Sequence, residues 1–352
     1  MGSSISRLKS ATRTSIAWAA HACSLHQFRL RGKVAILMYH RVLTREEVAC
    51  QAVQPGMYVL DTVFAQQMAF VRETFTVLSF RQLLDLWQTG KWDKQARYCV
   101  VTFDDGWLDN YRHAYPVLKR LGLPATIFLP TDYVSTNQWF WPDRIAHLLR
   151  SARSAEQGIK HVQQIERVLL NLFGVAGESL GKALVNDERA TDQLIDWCKE
   201  LPKDQIEMLI AALAVELGVS VPVERVVVNW EEVREMSQGG ISFGSHSCSH
   251  RIMTTISPSE VSQELEQSEC VLQRAGIDYV PVFCYPNGNN DVAIQAQAKA
   301  HGYEAAVSVQ MGVEGTHPRN RFALRRVGIH NDVTYSIPLF SLRLCGLLSR
   351  TK

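Results

Sequence analysis

The chain has 352 residues, of which 46% are hydrophobic and 20% charged, with a formal net charge of +2. That length allows one large domain or two ordinary ones, and the composition excludes a disordered or fibrous chain. So small a net charge argues against a nucleic-acid partner, and no stretch reaches the roughly 18 uninterrupted apolar residues of a membrane span.

Residues 1–33 read as a basic, loosely amphipathic helix or arm. Arg7, Lys9, Arg13, Arg29, Arg31, Lys33, Arg41 and Arg45 all precede the first acidic residue, Glu46. Ile16 to Leu25 resembles the apolar part of a secretion signal, but His21 and His26 intrude and no convincing cleavage site follows. Two readings of the arm fit: a peripheral contact with an anionic membrane surface, or a solvated segment. The eight cysteines show no CxxC spacing, and several sit in apolar runs where a thiol behaves as a small hydrophobe. This suits a reducing compartment and argues against zinc held by thiolates. The expected location is cytoplasmic, with any membrane contact peripheral and at the inner surface.

Val34 to Tyr39, VAILMY, reads as a buried strand that delivers His40 at its end. Asp61 caps a helix with Phe64, Met68 and Val71 inward, and Ser79 caps another that stops at Gly90. Tyr98 to Phe103 is the next buried strand, and it ends abruptly in Asp104, Asp105 and Gly106. Adjacent buried carboxylates repel and lose hydration, so a cation or a shared proton must compensate, unless the pair only makes a turn and a helix cap. A helix follows to Leu121, then the strand PATIFL from Pro124 to Leu129.

From about 139 to 228 the character is helical, and strand–helix alternation resumes beyond it, so this segment reads as an insertion. Asn229 with Glu232 and Ser257 with Glu260 resemble capping boxes. Ile241 to Gly244 is a strand ending in SHSCSH. Tyr279 to Tyr285 leads into the turn-rich PNGNND, and Ala305 to Val309 and Leu324 to Ile329 are the last strands, the latter followed by His330. The alternation gives about seven parallel strands over 34–335, with regular spacing that favours a closed barrel over an open doubly wound sheet, and a tail over 336–352. No GxGxxG follows a strand, so a nucleotide fold has little support.

Loops after parallel strands gather at one face, so His40, Asp104, Asp105, His246, His250, the Tyr285 loop and His330 are brought towards one another. His246 and His250 are spaced to reach one cation. Two imidazoles and one carboxylate leave positions open for water and substrate, and the second aspartate stays free to accept a proton. A lone strand-end histidine such as His330 is by itself more often structural. Trp107, Trp139, Phe140 and Trp141 have the chemistry to stack on sugars, although burial is the stronger default for aromatics.

TFDDG at Thr102 to Gly106, with SHSCSH at Ser245 to His250, resembles the NodB-homology polysaccharide deacetylase family (carbohydrate esterase family 4). The likeness runs from about Val34 to His330 apart from the insertion. It implies an α/β fold, a distorted (β/α)7 barrel, and metal-dependent removal of N-acetyl groups from the sugars of a polysaccharide, oligosaccharide or lipid-linked glycan. By that resemblance Asp104 is the general base, and Asp105, His246 and His250 hold one divalent ion, expected to be Zn2+. Family members commonly carry an arginine before the proline of a third motif. Here Cys284 and Tyr285 precede Pro286, which leaves Arg325 or Arg326 as the candidate replacement. VAILMYHRV also resembles the N-terminal strand of a circularly permuted branch that deacetylates poly-N-acetylglucosamine, which makes His40 the expected general acid and His330 its alternative. The Tyr285 loop, with Asn287, is the expected oxyanion donor. The competing readings are hydrolysis of another amide, such as a formyl or cyclic ureide, and a non-catalytic carbohydrate-binding protein on the same fold.

Overall fold

The computed structural model describes residues 2–51, 53–153, 158–174, 183–184 and 188–347. Residues 154–157, 175–182 and 185–187 of the expected insertion, and 348–352 of the expected tail, lie outside this range. The chain divides into two compact units, one of residues 1–44, 55–136 and 227–352, the other of residues 45–54 and 137–226.

The strands of the first unit are β1 (Lys33–Tyr39), β2 (Arg41–Leu43), β3 (Tyr58–Leu60), β4 (Thr76–Val77), β5 (Arg97–Phe103), β6 (Ala125–Leu129), β7 (Ile241–Ser245), β8 (Tyr279–Cys284), β9 (Ala305–Met311) and β10 (Leu324–Gly328). Seven of them pair in parallel in the order β1, β5, β6, β7, β8, β9, β10, and β10 returns to β1 to close a barrel. The closure is uneven. β5 pairs with β1 along its whole length, but with β6 only at Thr102 and Phe103. Two-residue β4 takes the early part of that second edge, at Tyr98 and Cys99.

Side chains alternate across a strand. Val34 and Ile36 of β1, Tyr98 and Val100 of β5, Val282 and Cys284 of β8, Val307 of β9 and Leu324 of β10 share one buried cluster with Phe80, Leu83 and Trp87 of the helix Phe80–Thr89. Most of these are early strand positions, so that helix closes the N-terminal end of the barrel. Continuing the alternation puts His40, Asp104 and Arg326 on the same inward face, towards the other end.

Helix starts follow their local signals, since Ser79 with Gln82, Asn229 with Glu232, and Ser257 with Glu260 all form reciprocal capping boxes. Asp61 differs. Leu60 is the N-cap, and Asp61 is the first helical residue, its carboxylate accepting from the Thr62 N–H. The helix after β5 opens with a π turn over Asn110–Ala114 before Tyr115–Leu121. Inside the expected tail, Ile337–Leu344 is a helix whose Leu339 and Leu342 pack with Ala17 of the N-terminal helix Gly2–Ala22.

The second unit is helical, with Arg45–Cys50, Trp141–Arg153, Gly158–Phe173, Glu188–Cys198 and Lys203–Leu217. Its own core includes Leu148, Leu149, Ile165, Leu169, Ile195, Leu209 and Leu213. Among the described residues, no helix of either unit is long and apolar enough to cross a membrane.

Candidate active site

β5 delivers Asp104 and Asp105 into a nearly closed environment, at 2% and 4% exposure. Asp105 sits at φ 71° and Gly106 at φ 62°. The left-handed region costs a non-glycine residue on the order of 1–3 kcal/mol, so Asp105 persists only if its surroundings hold it. Trp107 Nε1 donates to its Oδ2 at 2.9 Å, while Oδ1 lies 3.3 Å from His246 Nε2 and 3.0 Å from His250 Nε2. Gly106 is required twice over, since a Cβ there would also meet Leu129 Cδ2 at 2.5 Å.

The two histidines come from the turn after β7, which is itself bent into the left-handed region at Ser247 and His250. Side chains satisfy its backbone donors. Ser245 Oγ accepts from the Ser247 N–H at 3.1 Å, and Ser247 Oγ from the His250 N–H at 3.0 Å. Glu264, on the helix Pro258–Arg274, accepts from the Cys248 and Ser249 N–H groups at 2.8 and 2.9 Å, and from the Ser249 hydroxyl. Sequence reasoning passes over Glu264. Its only trace there is the need of a polar, non-repetitive turn for acceptors.

His246 Nδ1 lies 2.7 Å from the Cys284 carbonyl oxygen. A carbonyl only accepts, so Nδ1 carries a proton, and Nε2 is the ring atom turned towards Asp105 Oδ1. At that separation the two atoms meet through a proton or through a cation beside them. Burial disfavours charge on His246, but Cys284 and the Asp105 hydrogen bond outweigh it and hold its pKa well above the ordinary value. Burial likewise pushes the Asp105 carboxyl up, and hydrogen bonds from His246 and His250 bring it well below the usual range. The pocket therefore favours added positive charge, and the ligand atoms of Asp105, His246 and His250 lie within 4.8 Å of one another. These residues fit a divalent ion.

Asp104, His246 and Cys284 also cluster within that distance. This second set is a poorer fit. Burial keeps the Cys284 thiol protonated, and both Asp104 oxygens are occupied by Arg326, with Nη1 to Oδ1 and Nη2 to Oδ2 each at 2.7 Å. Arg326 is fully buried. It reaches Asp104 past Cys284, whose Sγ lies 3.4 Å from Nη2, so the small thiol leaves room for a guanidinium arriving from β10. Arg325, on the other face of the strand, pairs with Glu314 instead. Burial raises the Asp104 carboxyl, but the charge and hydrogen bonds of Arg326 outweigh it and leave the pKa below the ordinary value.

His40 Nε2 lies 3.8 Å from Asp104 Oδ2, and burial lowers the pKa of its ring despite the two nearby aspartates. His330 caps the helix Asn331–Thr334, and its Nδ1 pairs with Asp332. Tyr285 requires a correction. Its N–H donates to the Val307 carbonyl at 3.3 Å and its hydroxyl to the Phe322 carbonyl at 3.0 Å, because it stands on the outward face opposite Cys284 and continues the ladder with β9. Its donors are thus committed to the fold and not to an oxyanion. Asn287 is exposed at φ 56°, with its amide on Asn289. Trp107 and Phe140, at 2% and 3% exposure, are buried and present no face to a sugar.

The family model described as Polysaccharide deacetylase matches residues 91–174 and 209–306, more than half of the chain. "Putative polysaccharide deacetylase YxkH" of Bacillus subtilis (strain 168) is 21% identical over 237 residues, 67% of this chain and 53% of that protein. The chain therefore spans about half the length of this relative. The Streptococcus pyogenes deacetylase PplD, solved in complex with acetate, aligns with a TM-score of 0.54 at 18% identity, covering 90% of this chain and 99% of that one. IcaB from Ammonifex degensii aligns with a TM-score of 0.52 at 16% identity over 88% and 97% of the two chains. At those identities the solved structures speak for a shared fold alone. The family model goes further, and with the aspartate pair and the two histidines at one barrel mouth, the chain belongs to the polysaccharide deacetylase family.

Proposed function

We propose that this protein is a metal-dependent hydrolase that removes N-acetyl groups from the sugars of a polysaccharide, oligosaccharide or lipid-linked glycan. The observation that carries the reading is the meeting of Asp105, His246 and His250 with an arginine-held Asp104 and with His40. Family membership supports it, as does acetate, the acid product of such a reaction, in the streptococcal relative. Asp105, His246 and His250 would hold the ion, and two imidazoles with one carboxylate suit zinc. When bound, such an ion supplies a Lewis acid for the amide carbonyl and lowers the pKa of water.

The remaining work falls to the chain's own groups. Arg326 keeps Asp104 ionised and fixes its plane, so the carboxylate is ready to accept a proton from water as the water oxygen attacks the acetyl carbon. His40 rests neutral near pH 7, because burial lowers its pKa. It receives the proton from Asp104, whose Oδ2 lies 3.8 Å from its Nε2, and passes it to the sugar nitrogen as the C–N bond breaks. Acetate and a free amine leave, and one water is consumed. His330, engaged with Asp332, is the weaker candidate for this step.

The test is mass spectrometry of N-acetylated oligosaccharides and lipid-linked sugars incubated with the zinc-loaded protein. Loss of acetyl groups that a chelator abolishes is the expected result. Intact N-acetyl groups on every substrate, or losses of a different group, would overturn the reading.

A further inference from the structure

The turn after the aspartate pair does more than continue into a helix. Trp107 is buried beside Asp105 and gives its single N–H to Oδ2. An indole only donates, so this bond fixes which oxygen is tied back and leaves Oδ1 facing His246 and His250. The indole is itself held from the other side. The Arg41 guanidinium lies 4.3 Å from the ring centroid, and its Nε donates to Asp109 Oδ2 at 2.8 Å. Asp109 Oδ1 accepts from the Val42 N–H at 2.8 Å and from the Asn110 side chain at 3.3 Å, and that Asn110 amide also donates to the His40 carbonyl at 2.8 Å. Arg41 and Asp109 are both buried.

Every link in this chain is a directional contact, and it ends on a residue held at positive φ. We infer that Arg41, Asp109 and Trp107 form a positioning unit that sets the Asp105 carboxylate for binding through one oxygen. None of the three touches the place between Asp105, His246 and His250, so they act through Asp105. The arrangement also anchors Asp105 to the strand end that carries His40, through Val42 and Asn110. The inference rests on the metal reading above. It adds that much of the site's affinity is stored in residues that never meet the ion.

Three substitutions separate the links with little change of shape. Trp107→Phe removes the N–H and keeps the ring, Asp109→Asn removes the charge, and Arg41→Lys keeps the charge but loses the flat guanidinium. Zinc affinity is measured by competition with a chromophoric chelator, alongside the melting temperature of the metal-free protein. Trp107→Phe should weaken zinc by roughly 10- to 100-fold, the usual effect of removing a group that orients a ligand, with little change in melting of the metal-free form. Asp109→Asn and Arg41→Lys should weaken it as well. The Trp107→Phe/Asp109→Asn double variant should be no worse than the poorer single one, because both act through one N–H. Arg81→Ala, which removes an exposed ion pair with Asp278, should bind as wild type does. Multiplying effects in the double variant would overturn the inference. A wild type that takes up no zinc overturns the metal reading and this inference together, whereas tight wild-type binding with an unaffected Trp107→Phe overturns this inference alone.

Discussion

Arg326 keeps Asp104 ionised and in place, as the proposed role of proton acceptor requires. The pair is buried and bidentate, so its two halves are not separable. Arg326→Ala should cost on the order of 3–5 kcal/mol in chemical denaturation, because it strands a buried charge. Arg326→Lys should fold better yet still lose turnover, since an ammonium cannot span both oxygens. Asp104→Asn should retain metal while losing about 10²- to 10⁴-fold in acetate release. Near wild-type turnover in that variant would move the base role elsewhere. The sequence left Arg325 and Arg326 as equals. What separates them is parity: Leu324 belongs to the interior cluster, and Arg326, two residues on, shares its face. That assignment needs the barrel interior to be known first. Tyr285 misled for the same reason, since its neighbour Cys284 took the inward face.

Elements with local signals were legible. The three capping boxes form where Ser or Asn stands three residues before Glu or Gln, and the long apolar runs become barrel strands. Elements that depend on distant partners were not. The β2–β3 pair and β4 are too short to carry periodicity, and the π turn at Asn110 has no compositional mark. The turn after β7 belongs to the same class, because its shape depends on Glu264, well along the next helix. Glu264→Ala should orphan the Cys248 and Ser249 N–H groups and cost about 2 kcal/mol or more. It should also weaken metal binding, because His250 rides on that turn. A chelator competition showing unchanged affinity would mean that the serine bonds hold the turn alone.

Across the whole molecule the two ends of the barrel unit pack together, and their junction should make stability depend on pH. His26 is 3% exposed, its Nδ1 has no hydrogen-bond partner among the described residues, and it stacks on His21. Burial first, then His21 and Arg97, hold its pKa at about 4. Above the unfolded value of about 6.5 the ring is neutral in both states and nothing is lost. Below it the unfolded chain takes up a proton that the folded chain refuses. Stability should therefore fall from pH 6.5 towards pH 4, by at most about 3 kcal/mol, and level off beneath. His26→Leu should flatten denaturation midpoints over that window, and an unchanged slope would assign the pH dependence to other groups. The packing of Ile337–Leu344 against the first helix was not legible, because no local pattern in one chain end names the other as its partner.

In the proposed mechanism Asp105, His246 and His250 hold one catalytic cation beside a base that does not bind it. Elemental analysis of the purified protein separates the ligands from the base. About one divalent ion per chain should be found in the wild type and in Asp104→Asn, and far less in His246→Ala. Equal metal in wild type and His246→Ala, or metal lost with Asp104→Asn, would overturn this assignment of ligands and base.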